Sequence, residues 1–201
     1  MRPHLSARHA LIAVLATAVL ATGATTAAAA APAGPAPAHA SLRPLVDLAA
    51  ERVLVADEVA AAKWGTDSPI DDPAREREVL DAVARQAEEL GADPEATARI
   101  FRDQIEASKV VQRGLYRRWD ADPSQAPTER PDLGRIRLEI NRINGELVRA
   151  IADSAVVRET PSCAGRLTAG AAAVIHGRHL DALHTVALGR SLPSVCERAE
   201  P

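Results

Sequence analysis

The stretch "ERVLVADEVAAAKWGTDSPIDDPARERE", Glu51–Glu78, decides how the rest of the chain is read. Its first half carries apolar residues at helical spacing. That pattern extends upstream through Leu45 and Leu48, so Leu42–Trp64 reads as one long amphipathic helix. Arg52 and Lys63 both belong to it. Eleven residues at ~100° each make about three turns, which leaves the two cations within roughly 20° of one another. "GTDSPIDDP" then breaks the helix. Asp72 is suited to an N-cap with Pro73 at the first helical position, and the helix so opened carries a third cation, Arg75, in its first turn. A chain with a formal net charge of −3 needs a reason to gather three cations.

Outward from this stretch the chain stays helical. β-Branched alternation is nearly absent and aromatic residues are only 2% of the chain, which leaves little material for strands. The helix after Asp72 runs to Leu90. "GADPEA" ends it and starts another, with Asp93 as cap and Pro94 at the first position, continuing through Ile100, Ile105 and Val111 to about Trp119. "DADPSQAPTERP", Asp120–Pro131, is the clearest loop. Asp132 or Leu133 then opens a helix through Ile136, Ile140, Ile143, Leu147 and Ile151, and helical patterning returns from Leu167 to Leu188. The expectation is an all-α, single-domain bundle of about six helices.

Residues 1–40 are set apart. Arg2 and Arg8 precede an apolar stretch, Ala10–Ala21, and "AHA" at Ala38–Ala40 is a small-x-small cleavage site. This is the pattern of a secretory signal peptide, with an apolar core too short to span a bilayer. Residues 41–201 are then the exported, soluble domain, more acidic still once Arg2 and Arg8 are gone. No nucleic-acid or membrane partner is expected of such a chain. Cys163 and Cys196 are its two cysteines, and in an exported protein an isolated pair reads as a disulfide bounding the C-terminal part, residues 161–201. A metal site or a catalytic thiol would need partners that the sequence does not supply.

The usual signs of covalent or metal chemistry are missing. There is no G-x-S-x-G elbow and no Gly-rich phosphate loop. His176, His179 and His184 offer H-x2-H-x4-H without an acidic residue at ligand spacing, so they read as surface or packing histidines and no metal is assigned. Nothing selects one carboxylate pair among many for hydrolysis. What remains is a polar and cationic set: Arg52, Lys63, Asp72, Arg75, Glu76, the i,i+4 pair Ser108 and Gln112, and Arg137 among Ile136 and Ile140. Each alone reads as a solvated surface residue.

Their combined spacing resembles the AroQ-type chorismate mutases. Arg, Lys, Asp and Arg-Glu follow one another at the intervals above, and an S-x-x-x-Q follows later. "LVDLAAERVLVADEVAAAKW", "SPIDDPAR", "FRDQIEASKVVQ" and "PDLGRIR" look, in order, like segments of that family's exported branch. "PSCAGRL", "RHLDAL" and Cys196 extend the likeness. The pocket motifs cover residues 45–143.

The resemblance implies the chemistry. Chorismate is a dianion that rearranges to prephenate in one unimolecular step, for which the family needs no cofactor. Arg52 and Arg137 would hold the two carboxylates, with Arg75 near the hydroxyl end. Lys63 and Gln112 would donate to the ether oxygen, Asp72 and Glu76 would meet the ring hydroxyl, and Ser108 would contact a carboxylate. The resemblance also implies a homodimer with each pocket built within one chain. One departure stands out. The mycobacterial secreted branch has Glu where Gln112 stands and Thr where Ser108 stands, whereas the pair here looks like that of the cytoplasmic enterobacterial branch. The competing reading is a silent exported binding protein on the same scaffold, and the intact polar set argues against it.

Overall fold

The chain's architecture, taken from a computed structural model that describes residues 41–196, follows from its caps and apolar stripes. The proposed signal peptide, residues 1–40, lies outside the described residues. All regular structure described is helical: α1 (Arg43–Leu54), α2 (Ala56–Lys63), α3 (Pro73–Glu89), α4 (Pro94–Ala121), α5 (Leu133–Asp153), α6 (Ala155–Arg158), α7 (Cys163–Gly177) and α8 (Ala182–Arg190). A short 3-10 turn, Pro123–Gln125, sits in the Pro-rich connection. No described helix is long and apolar enough to cross a membrane.

The expected long helix Leu42–Trp64 is α1 and α2 joined at Val55, whose ψ of −15° tightens the turn. The hydrogen-bond ladder still crosses the joint, from Val55 N–H to Glu51 O at 3.0 Å and from Val59 N–H to Val55 O at 3.2 Å. The helical path is therefore continuous through the joint. Its first half packs chiefly on α5 and α7 and its second chiefly on α4.

Carboxylate caps set the helix starts. Asp72 accepts from Arg75 N–H at 3.0 Å, Asp93 from Glu95 and Ala96 N–H at 2.8 and 3.1 Å, and Asp132, not Leu133, from Arg135 N–H at 2.7 Å. α3 stops at Gly91, whose φ of +69° only glycine takes readily. There Gly91 N–H reaches Glu88 O and Ala92 N–H reaches Ala87 O at 3.0 and 2.9 Å, a paired helix ending.

The helical patterning from Leu167 to Leu188 is resolved here into its elements. It holds two helices, and α7 ends with the same pair of bonds: His179 N–H to His176 O at 3.3 Å and Leu180 N–H to Ile175 O at 3.1 Å. His179 takes the left-handed conformation, φ 52°. A histidine there gives no warning in the sequence, as a glycine would. Eight helices are described: the five helical stretches read from the sequence, and one more each from the joint at Val55, this break and the single turn α6.

The core forms around α1. Leu45, Val46, Ala49 and Ala50 meet Ile100 and Phe101 of α4, Leu147, Val148 and Ile151 of α5, Val174 of α7 and Leu188 of α8, all buried. A second cluster joins Val53, Ala56 and Ala60 to Ala107, Val111, Leu115 and Trp119. Trp64, Tyr116 and Trp119 close its end, their ring centroids 4.8–5.9 Å apart. Each buried Val, Leu, Ile or Phe among these contributes about 1.5–3 kcal/mol by leaving water, and an alanine less. These clusters hold α1, α2 and α4 in register, and that register aims the polar residues. Cys163 and Cys196 form the expected disulfide, with Cα atoms 5.8 Å apart, tying the start of α7 to the segment after α8.

Candidate active site

All eight polar residues singled out from the sequence line one cavity: Arg52 from α1, Lys63 from α2, Asp72, Arg75 and Glu76 from the start of α3, Ser108 and Gln112 from α4, and Arg137 from α5. Val59, Ile70, Val79, Ile105, Leu133 and Ile140 supply its apolar walls. Charged side chains beside apolar walls interact through a medium less polar than water, so each charge counts for more.

The cations differ in how their charge is met. Arg52 is 5% exposed; its Nε donates to Asn144 Oδ1 at 3.0 Å, and its guanidinium carbon lies 5.9 Å from the centre of the Phe101 ring. Burial pushes its pKa down to about 10, so it stays charged at neutral pH. Lys63 is half-buried and its Nζ donates to Pro69 O at 2.7 Å. Burial lowers the Lys63 pKa, Asp72 opposes that, and Arg137 adds to it. Arg137 is exposed at the start of α5. Among the described residues, none of these three forms an ion pair with a carboxylate. Arg75 does, at 2.9 Å from Glu78.

Gln112 is 3% exposed and its Nε2 donates to Ser108 Oγ at 3.2 Å, while its Oε1 has no hydrogen-bond partner among the described residues. The amide is thus half satisfied. A buried orphan of this kind is uncommon and points to a missing partner.

Two residues of the site escaped sequence reading. Lys109 lines the cavity with its side chain 9% exposed, bonded to Glu76, Glu106 and Asp71. Its signal was weak: a lysine three residues from Gln112, on the same side of α4, in a chain that otherwise prefers arginine. Asn144 holds Arg52, and it stands seven residues, about two turns, beyond Arg137 on α5. Of the three histidines, His176 and His179 are exposed, while His184 is turned inward between Asp57 and Asp181.

Unpaired cations at one cavity fit a small polyanion. Burying a charge without a partner is costly, and a ligand carrying carboxylates supplies the partners. A guanidinium fork suits a carboxylate and an ammonium suits a single oxygen.

Comparison with known proteins agrees. The family described as chorismate mutase type II matches residues 43–113. A secreted chorismate mutase of Mycobacterium tuberculosis is 36% identical over 162 residues, 81% of this chain and 81% of that protein. Its counterpart from Mycolicibacterium smegmatis is 37% identical over 155 residues, 77% of this chain and 86% of the relative. Among solved structures, chorismate mutase from Burkholderia thailandensis is similar with a TM-score of 0.74 at 36% identity, covering 77% of this chain and 98% of its own. The alignments with the secreted relatives are longer than the stretch the family model matches. This chain belongs to the chorismate mutase type II family.

Proposed function

We propose that this protein is an exported chorismate mutase, an isomerase that converts chorismate to prephenate. One ether C–O bond breaks as one C–C bond forms, within a single molecule and without proton transfer. The observation that carries the proposal is the set Arg52, Lys63 and Arg137, three cations that line one cavity and have no carboxylate partner among the described residues. Arg52 and Arg137 would grip the two substrate carboxylates and hold the compact conformer, a positioning effect. Arg75 would act near the hydroxyl end, Asp72 and Glu76 at the ring hydroxyl, and Ser108 at a carboxylate.

As the ether bond lengthens, negative charge grows on its oxygen. Lys63 would meet that charge directly. Gln112 would meet it through its amide, whose buried Oε1 lacks a partner. A half-turn of that amide lets the Ser108 hydroxyl donate to Oε1 and frees Nε2 for the substrate oxygen. Donors aimed at developing charge lower the barrier because they are worth more in the transition state than in the ground state. No residue needs to change protonation, which suits a site with neither a nucleophile nor a paired base.

Export follows from the leader pattern and from relatives named as secreted. A homodimer with each pocket built within one chain is part of the same proposal, and it rests on the resemblance to the family's exported branch. The test is an assay of purified residues 41–201 on chorismate, followed by loss of its ultraviolet absorbance and by appearance of prephenate. Turnover with prephenate as sole product is expected, and a folded protein that leaves chorismate unchanged overturns the proposal.

A further inference from the structure

We infer that Lys109 is a positioning residue for the reaction: it fixes and neutralises Glu76 on the cavity wall so that a dianion can bind beside it. The inference rests on the chorismate reading above. Lys109 Nζ lies 2.8 Å from Glu106 Oε1, 2.9 Å from Glu76 Oε1 and 3.3 Å from Asp71 Oδ1. An ammonium carries three protons, and here it has three acceptors. Burial by itself would push the Lys109 pKa down, but the bonds to Glu106 and Glu76 outweigh it and hold the ammonium well above its usual value. The lysine is therefore a fixed charge and no proton donor.

The geometry says what that charge is for. Glu76 lies in the first turn of α3 and Lys109 in the middle of α4, so their bond spans the two helices at the cavity. Asp71, just before α3, is held by both Lys109 and Arg113, the latter at 2.7 Å to each oxygen. Lys109 and Arg113 are an i,i+4 pair on α4, so one face of that helix anchors the segment leading into α3. Neither neighbouring arginine is available to replace Lys109. Arg75 is engaged by Glu78 and Arg113 by Asp71. Without Lys109, Glu76 would stand uncompensated where a dianion has to bind, and its carboxylate would lose the contact that orients it.

A double-mutant cycle tests this, with kcat and KM on chorismate for wild type, Lys109→Met, Glu76→Gln and the double variant. Lys109→Met should raise KM by about 10-fold or more, with a smaller effect on kcat, because repulsion acts on the bound dianion in ground and transition states alike. Glu76→Gln should cost at least ~5-fold less in kcat/KM in the Lys109→Met background than in wild type, because its charge is harmful there. A purely structural lysine would not produce that coupling. Should Lys109→Met fail to fold by circular dichroism, Lys109→Gln, which keeps hydrogen bonding without charge, serves in the same cycle with the same expectation. Equal factors for Glu76→Gln in both backgrounds, or an unchanged KM, overturn the inference. A wild-type protein inactive on chorismate would instead overturn the functional reading on which it rests.

Discussion

Replacing His184 with glutamine should remove a part of the stability that depends on pH. His184 is 7% exposed, with Nδ1 at 2.7 Å from Asp181 Oδ1 and Nε2 at 2.9 Å from Asp57 Oδ1. Both nitrogens face carboxylates, so the doubly protonated imidazolium satisfies both bonds. Asp57 lies on α2 and Asp181 caps α8, so the ring clamps the Lys63 helix to the C-terminal helix. The bond to Asp57 raises the pKa, burial opposes it, and Asp181 adds to the rise, from 6.5 to about 9. The folded state therefore binds the proton more tightly than the unfolded chain. The stabilisation is complete below about pH 6.5 and is lost as pH climbs through about 9. At about 1.36 kcal/mol per pKa unit this is on the order of 3 kcal/mol. The two aspartate side chains are 47% and 50% exposed, and solvent screening brings the expectation to about 1–2 kcal/mol. Urea unfolding of wild type and His184→Gln at about pH 6 and about pH 9.5 reads it directly. The gap between them should shrink by ~1–2 kcal/mol at the higher pH. A gap of the same size at both would refute the clamp.

The other predictions address the site and the disulfide. Arg52→Ala and Arg137→Ala should each lower kcat/KM for chorismate by at least ~10²-fold, about 2.7 kcal/mol; near-normal activity in a folded variant removes that residue from the site. Gln112→Glu should keep activity in acid and lose it as the introduced carboxyl ionises, whereas wild type should hold kcat/KM across the same range, and parallel pH–rate profiles would contradict the role given to Gln112. Reducing the Cys163–Cys196 bond should cost ~3–4 kcal/mol of stability in the chain-entropy model and leave the chemistry largely intact, since neither cysteine lines the cavity. A large loss of kcat in reduced but folded protein would count against that separation.

Much of this was legible because local chemistry and global packing agree. Asp72-Pro73, Asp93-Pro94 and Asp132 announce helix starts through side-chain caps, and those caps formed. Arg52 and Lys63 reach the same cavity across the joint at Val55 because the ladder continues through it. Other features lay beyond the reach of periodicity. The end of α7 depends on a histidine in a conformation where glycine is usual, a choice made by the tertiary packing of Leu180. Lys109 was not singled out because its three acceptors lie on α4 itself, in α3 and in the segment before α3, and the latter two meet it only in the fold. Asn144 is an ordinary polar residue until Arg52 meets it across two helices.

The central claim is that unpaired charge in this cavity carries out the rearrangement, and Lys63 is where it is most exposed to test. Its ammonium, now donating to Pro69 O at 2.7 Å, has no carboxylate partner among the described residues and lines the same cavity as Arg52 and Arg137. The measurement is kcat and kcat/KM on chorismate for Lys63→Ala and Lys63→Arg, with folding checked by circular dichroism. Both constants should fall together by at least ~10²-fold in each variant, because the contact is realised mainly in the transition state and a planar fork does not replace a compact charge. Folded variants whose kcat stays within a few-fold of wild type would contradict the account.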